Sequence, residues 1–471
     1  MNSQPRLRPP FSATPSHDDS GGRPLRWLLY ALLAYVFVTG GSSQQSDWDD
    51  TLAQWLALPV LAMALLAMAM QPPSPLRRWG LIAAGTIVLV PLLQLLPLPA
   101  SIWSWPAARQ GLAHDLAEAG VSVLPHWTLS PSATERAALS LLPALAAFAG
   151  CLALDSRAHR QCLRLFMGIA LGSLLLGFAQ LGVPQESPLN PFPQWAPALG
   201  GVFANPNHQA TMLVIAANIA LVALIVGLRH WRQTGEQPWK PWALGTLLLF
   251  LLGTLPLTGS RGGAIIAMLA LVAAAWAAGL FQLRTWAGKR AMLVTAMALA
   301  IAALGLLVAI GWMRVEEVGD LRGPLRQLTF AVGQSHAPLG AGVGSFVPVF
   351  EQGALAMSLR DDYINHAHNE YLQWWLEAGW LALLAAVAAF AVLVATGRKL
   401  MLRSPSDRAT GAAALIGVGI VLVQSFVDYP LRTPALMTVA AALAGIAIAQ
   451  AAKPRQDSSR QDAGRDSQWS A

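Results

Sequence analysis

The stretch Asn365 to Gly379, NHAHNEYLQWWLEAG, packs two histidines, two glutamates, asparagine, tyrosine and two tryptophans into one short segment. It opens in a polar loop and runs directly into an apolar helix, Leu372 to Ala395. In a chain with only 12% charged residues, such a cluster at a membrane boundary is costly and points to function. Histidine is the side chain best suited to take a proton near neutral pH. His366 and His368 stand two apart and so face different ways on a helix. One works and the other positions. His368, nearest the helix mouth, is the candidate base, with Glu370 the next group able to serve. The same residues also suit a polar loop with an aromatic belt, Trp374 and Trp375 lying at the interface.

Three further segments offer chemistry. Thr258-Gly259-Ser260-Arg261-Gly262-Gly263 sits in a hairpin between two apolar runs. Glycines let backbone amides approach an anion, and an arginine beside the next helix N-terminus adds charge where the dipole is positive. A phosphate would be held there; the alternative is a tight hairpin whose arginine reaches the headgroups. Gly201 to Gln209, GVFANPNHQ, reads as a capped turn whose asparagine amides suit sugar hydroxyls, with His208 a cap or interface residue rather than a base. Asp47-Trp48-Asp49-Asp50 and Asp361-Asp362 have the oxygen ligands that Mg or Mn takes, but not the setting of a metal site, and read as solvated acidic faces. P-loop, dinucleotide, HExxH and GxSxG patterns are absent from the sequence.

The elements that must position these groups are membrane helices. The chain is 55% hydrophobic over 471 residues, with mean hydropathy +0.48, and long apolar runs recur throughout. Twelve helices are expected, at 27–42, 52–70, 79–98, 136–154, 162–181, 208–228, 241–257, 263–281, 291–313, 371–396, 410–427 and 434–451. Polar tails at 1–25 and 452–471 read as disordered. With both termini cytoplasmic, 23 of the 31 lysines and arginines fall inside, a positive-inside pattern that accounts for the pI of 9.9 without nucleic acid. All four lysines lie inside. The eight outer cations are arginines: Arg109, Arg136, Arg261, Arg314, Arg322, Arg326, Arg360 and Arg432. Arginine offers a planar fork for phosphate oxygens. The outer segment 314–370 is long, carries the turn-rich PLGAGVGSF at 338–346, and reads as an ordered lid. Cys151 and Cys162 have no metal-ligand spacing and read as structural thiols.

From GVFANPNHQATML through LTGSRGG, Arg326, PLGAGVGSF and HAHNEYLQWWLEAGW to VDYPLRTP, roughly residues 200 to 435, the chain resembles the O-antigen ligase and O-antigen polymerase superfamily of bacterial inner-membrane glycosyltransferases. The ligase pattern falls on His368, Asn369 and Gly379, with Ala382 where glycine is usual. The resemblance implies an all-α, GT-C-like membrane domain over residues 26–451 with its active site on the periplasmic face. It implies a glycan donor on undecaprenyl pyrophosphate and transfer to an acceptor hydroxyl with inversion, without nucleotide sugar, metal or other cofactor. His368 would be the base. Arg261 and Arg326 would bind the pyrophosphate, with Asn207, His366, Asn369 and Glu370 as further substrate contacts. Ligation to lipid A–core is the favoured reaction; repeat-unit polymerisation and protein O-oligosaccharyl transfer share the mechanism. Twelve helices would also suit a transporter, but no internal repeat and no charge at a helix midpoint are seen.

Overall fold

The computed structural model describes residues 22–44, 46–121, 125–192, 199–280, 322–355 and 364–454. Among these the chain is helical, without a β-strand. The helices are α1 (Gly22–Thr39), α2 (Asp47–Ala69), α3 (Pro75–Gln94), α4 (Ala100–Trp103), α5 (Ala107–Glu118), α6 (Pro131–Ala153), α7 (Ser156–Leu181), α8 (Pro206–Thr234), α9 (Trp239–Thr254), α10 (Arg261–Ala277), α11 (Arg322–His336), α12 (Phe346–Leu355), α13 (Glu370–Ala378), α14 (Trp380–Met401), α15 (Pro405–Gln424) and α16 (Pro434–Ala452). Nine of the described helices are long and apolar enough to cross a membrane: α2, α3, α6, α7, α8, α9 with the turn that follows it, α14, α15 and α16. α10, at 17 residues, is apolar but shorter. The chain is a multi-pass, all-α membrane protein. The span expected at 291–313 lies outside the described residues, as do Arg314, Arg360 and Asp361-Asp362.

α16 is the centre of the bundle, with 78% of its apolar window buried, against 22% for α2 and for α14 at the periphery. Its alanines and Gly445 let neighbours come close; a Cβ at Gly445 would lie 2.4 Å from the carbonyl oxygen of Phe148 on α6. Small residues at such contacts are what lipid-embedded helices use to associate.

The continuous helix expected over 371–396 is two helices. α13 ends at Gly379, whose φ is +55°, and α14 starts after it. The cause is tertiary. The turn 338–345 docks its backbone on the break: Ala341 N–H donates to Leu376 O (2.9 Å), Gly342 N–H to Glu377 O (2.8 Å), and Trp380 N–H to Pro338 O (3.0 Å). A Cβ at Gly379 would meet Pro338 O at 2.2 Å, and one at Gly340 would meet Glu377 O at 2.4 Å. Only glycine permits both the left-handed turn and the approach. Gln94, buried at the end of α3, bridges the two pieces, donating to Glu377 O (3.0 Å) and accepting from Val343 N–H (2.9 Å).

The chemistry-bearing turns gather at one end of the bundle. Ala204 N–H donates to Gly41 O and Ala435 N–H to Gly40 O, joining the turn after α1 to the starts of α8 and α16. Glu370 N–H donates to Ser425 O, joining α13 to the end of α15.

Candidate active site

Two asparagine caps aim this end. Asn205 caps α8, its side chain accepting from Asn207 N–H at 2.9 Å. Asn369 caps α13, accepting from Leu372 N–H at 3.0 Å, and its amide donates to Phe426 O at 2.9 Å. The stretch after α15 unwinds between them and delivers Asp428, Tyr429 and Arg432.

Asp428 is fully buried. Its carboxylate accepts from the Asn205 side-chain amide at 3.1 and 3.2 Å and from Tyr429 N–H at 2.8 Å. Two imidazoles face the same oxygen, Oδ1: His208 Nε2 at 3.6 Å and His368 Nδ1 at 3.8 Å. Burial pushes the Asp428 carboxyl up, but the His208 imidazole, the charge of His368 and the Tyr429 amide outweigh it and hold it well below the usual carboxylate range. The ring of Tyr429 packs against all three histidines of this end, with centroids 5.2 Å from His208, 4.3 Å from His366 and 4.9 Å from His368. Burial and the Asp428 charge push the Tyr429 hydroxyl up, against the Asn365 and Asn205 side chains, so it stays protonated.

The three histidines are not equivalent. His208 is fully enclosed, whereas the His368 side chain is 30% exposed and can meet a substrate. The His368 backbone holds φ at +49°, a conformation uncommon outside glycine and found at sites that aim a side chain. Its Nδ1 faces the Asp428 carboxylate at 3.8 Å, the side on which an imidazolium would be stabilised. His366 is arranged the other way. Gln373 Oε1 accepts from Ala367 N–H (3.2 Å), which fixes the amide so that its Nε2 donates to His366 Nδ1 (3.2 Å) and to Glu377 Oε1 (3.2 Å). The network therefore assigns the proton of neutral His366 to Nε2. Burial, with the charge of Arg432, pushes its pKa down to about 3. His366 is therefore neutral over the working range.

Beneath the histidines lies an ion cluster. Arg432 donates through Nε to Glu370 Oε2 at 3.0 Å and through Nη1 to Glu377 Oε2 at 2.9 Å, and Leu431 N–H donates to Glu370 Oε1 at 2.8 Å. Burial pushes the Glu370 carboxyl up, against the pull of Arg432. The guanidinium is held charged because the two carboxylates outweigh its own burial.

The residues singled out from sequence are placed as follows. His366, His368, Asn369 and Glu370 come together around Asp428 and Arg432. Glu370 and Asn369 spend their polar atoms inside the protein, the first on Arg432 and Leu431, the second on Leu372 and Phe426. Asn207 lies in the first turn of α8, where Asn205 is the cap. Arg261 opens α10 behind the cap Ser260, whose hydroxyl accepts from Gly263 N–H at 3.1 Å. Gly262 of that turn packs on Gln424 and Val427 and so abuts the stretch leading to Asp428. Arg326 lies on α11, its Nε buried without a hydrogen-bond partner among the described residues. Arg322, four residues earlier on the same face, is close enough for its charge to act on Tyr429. His208, read as a cap or interface residue, is instead a buried partner of Asp428, because Asn205 takes the capping role. Asp428, Tyr429, Arg432, Glu377 and Gln373 were not singled out as site residues. The signal for Asp428, Tyr429 and Arg432 was a polar run, VDYPLR, closing an apolar helix, and Gln373 and Glu377 lie inside the histidine-bearing stretch 365–379 itself. The acidic faces at 49–50 are engaged in starting α2: Ser46 donates through its hydroxyl to Asp49 Oδ2 (2.9 Å) and through its amide to Asp50 Oδ2 (3.1 Å).

A partly exposed imidazole facing a buried carboxylate, at the end that also holds the Arg261 turn, fits group transfer from an anionic leaving group. Residues 246–387 match the family model described as O-antigen ligase, so this part of the chain is similar to the O-antigen ligase superfamily. The matched stretch includes the Arg261 turn, Arg326, the 338–345 turn, both exposed-end histidines and the Gly379 break. No curated protein matches the chain. The family supports glycosyl transfer of the O-antigen ligase or polymerase type, acting on lipid-linked glycans at the membrane.

Proposed function

We propose that the chain is a metal-independent, inverting glycosyltransferase that moves a glycan from undecaprenyl pyrophosphate to an acceptor hydroxyl on the periplasmic face of a bacterial inner membrane. The observation that carries this is His368, its side chain 30% exposed and its Nδ1 3.8 Å from the buried Asp428 carboxylate, which is held ionised. His368 Nε2 removes the acceptor proton as the hydroxyl oxygen attacks the anomeric carbon. The bond from that carbon to the pyrophosphate oxygen breaks, and the electron pair leaves with the pyrophosphate. Arg261 and Arg326 neutralise the leaving group, the electrostatic help such a departure requires. Asp428, 3.8 Å from Nδ1, stabilises the imidazole electrostatically once it is protonated, while Tyr429 and neutral His366 shape the acceptor side.

Twelve spans, cytoplasmic termini and a GT-C-like arrangement complete the proposal, supported by the cation asymmetry and by the gathering of the chemical turns at one end. Engagement of Asp49 and Asp50 in the start of α2 supports the metal-free reading. Ligation to lipid A–core is favoured over repeat-unit polymerisation or transfer to protein by the His368–Asn369–Gly379 pattern. The test is purified protein in nanodiscs with undecaprenyl-pyrophosphate glycan and lipid A–core. Glycosylated lipid A–core is expected. Donor chains that lengthen while lipid A–core stays unmodified would overturn ligation in favour of polymerisation, and a donor that is bound but never consumed would overturn the transferase reading itself.

A further inference from the structure

α5 is a surface helix with an inverted pattern: the one residue it buries is Arg109. That guanidinium is fully enclosed. It lies over the Trp103 ring at 5.2 Å and donates through Nη2 to Gly340 O at 2.6 Å. Its Nε and Nη1, and the indole Nε1 of Trp103, are buried without a hydrogen-bond partner among the described residues. No carboxylate among those residues pairs with it. The neighbouring titratable group, His336 at the end of α11, is buried, accepts or donates only locally at Val332 O and Ser335, and feels the Arg109 charge as repulsion.

Buried arginines are almost always paired, since an uncompensated enclosed charge is heavily penalised. Burial pushes the pKa down to about 10, which leaves the group charged at neutral pH. Water would satisfy the unmet donors but not the charge. Three unmet donors and one net positive charge, with a backbone carbonyl as the sole acceptor in contact, call for an anion with several acceptor oxygens. The covering element is cheap to lift, because α5 contributes no other buried residue. We propose that Arg109 and the Trp103 indole N–H form an oxyanion site for a phosphate group, closed over by α5 and separate from the histidine centre. The phosphate is either free in solution or carried on a lipid headgroup. The site touches the turn of Gly340, which braces Glu377 and Gly379. The inference does not depend on the transferase reading, and its readout is binding rather than activity.

The experiment is thermal unfolding of the full chain in two arms. One compares inorganic phosphate with chloride at equal ionic strength in neutral detergent. The other compares phosphatidylglycerol with phosphatidylcholine nanodiscs without added phosphate. A ligand of the folded state raises the midpoint by mass action. Wild type is expected to gain a few degrees in one arm, the first identifying free phosphate and the second a headgroup. Arg109→Gln is expected to lose that gain. No gain in either arm, or an equal gain in Arg109→Gln, overturns the proposal. Should Arg109→Gln fail to fold, Trp103→Phe decides: it keeps the ring and removes the N–H, so a reduced gain supports the site and an unchanged one overturns it.

Discussion

Two buried histidine clusters occupy opposite ends of the bundle, and they are built on opposite principles. At one end, His159 on α7 has both ring nitrogens satisfied, Nε2 by Cys151 O at 2.7 Å and Nδ1 by the Gln450 amide at 2.6 Å. Gln450 in turn meets Ser156 (3.0 Å) and accepts from Lys453 (3.1 Å). Every polar partner is local to the ends of α6, α7 and α16, and the cluster ties those helices together. At the other end, Asp428 stands between two imidazoles at 3.6 and 3.8 Å, neither at hydrogen-bonding distance, and both His208 ring nitrogens are buried without such a partner among the described residues. Buried polar groups are normally satisfied, and the exceptions mark places where the protein keeps capacity in reserve. The difference separates a lock from the candidate site more sharply than residue type does, since a buried histidine stands in both.

That contrast can be broken by mutation. The largest loss of stability is expected at the ion cluster that supports the working end. Arg432→Met strands Glu370 and Glu377 in the interior and should cost about 3–5 kcal/mol, the penalty for removing one partner of a buried pair, read as a fall in the detergent unfolding midpoint. A variant as stable as wild type would mean that Arg432 does not offset the burial of the two glutamates.

Next come the proposed pyrophosphate contacts. Arg261→Lys and Arg326→Lys keep the charge and lose the planar fork, and each should cut transfer roughly tenfold or more with stability unchanged. Full activity in both would reduce them to interface anchors. The lock predicts the converse: His159→Gln should cost about 1–2 kcal/mol of stability through its lost hydrogen bonds and leave the turnover of the folded fraction untouched. A fall in turnover without a fall in stability would erase the distinction between the two ends.

The smallest effect is a pH dependence. His366 has a folded pKa near 3 against an unfolded value of about 6.5. The unfolded chain therefore binds the extra proton first, and the stability tied to neutral His366 is complete above the ordinary histidine range and declines as the pH drops from about 6.5 toward about 3. His366→Gln should flatten that part of the profile by an amount that nearby carboxylates do not reproduce. Nitrogen shifts of the ring should also report the Nε2–H tautomer at pH 6; a protonated ring at that pH would contradict the assignment.

Much of this was legible in the sequence because it is written in local patterns. Apolar runs mark the spans, NHAHNEY marks a polar junction at a helix mouth, and TGSRGG marks an arginine at a helix start. What was not legible is tertiary. Nothing local breaks WLEAGWLALL, since the break at Gly379 comes from a backbone turn more than thirty residues away pressing on it. His208 follows Asn-Pro-Asn and so looks like a cap, yet Asn205 caps first and leaves the imidazole one turn inside. Asp428 reads as one polar residue ending an apolar helix; only the meeting of α8, α13 and α15 makes it the group that two histidines share.

The central claim is that His368 and Asp428 act as one unit. A double-mutant cycle on single-turnover transfer, with donor affinity measured alongside, tests it most directly. His368→Ala should lower transfer by ~10²–10⁴-fold, the usual contribution of a general base, with donor affinity kept. Asp428→Asn should also lower transfer, and the double variant should be no slower than His368→Ala alone. Losses that multiply in the double variant, or wild-type transfer in His368→Ala, would contradict the account.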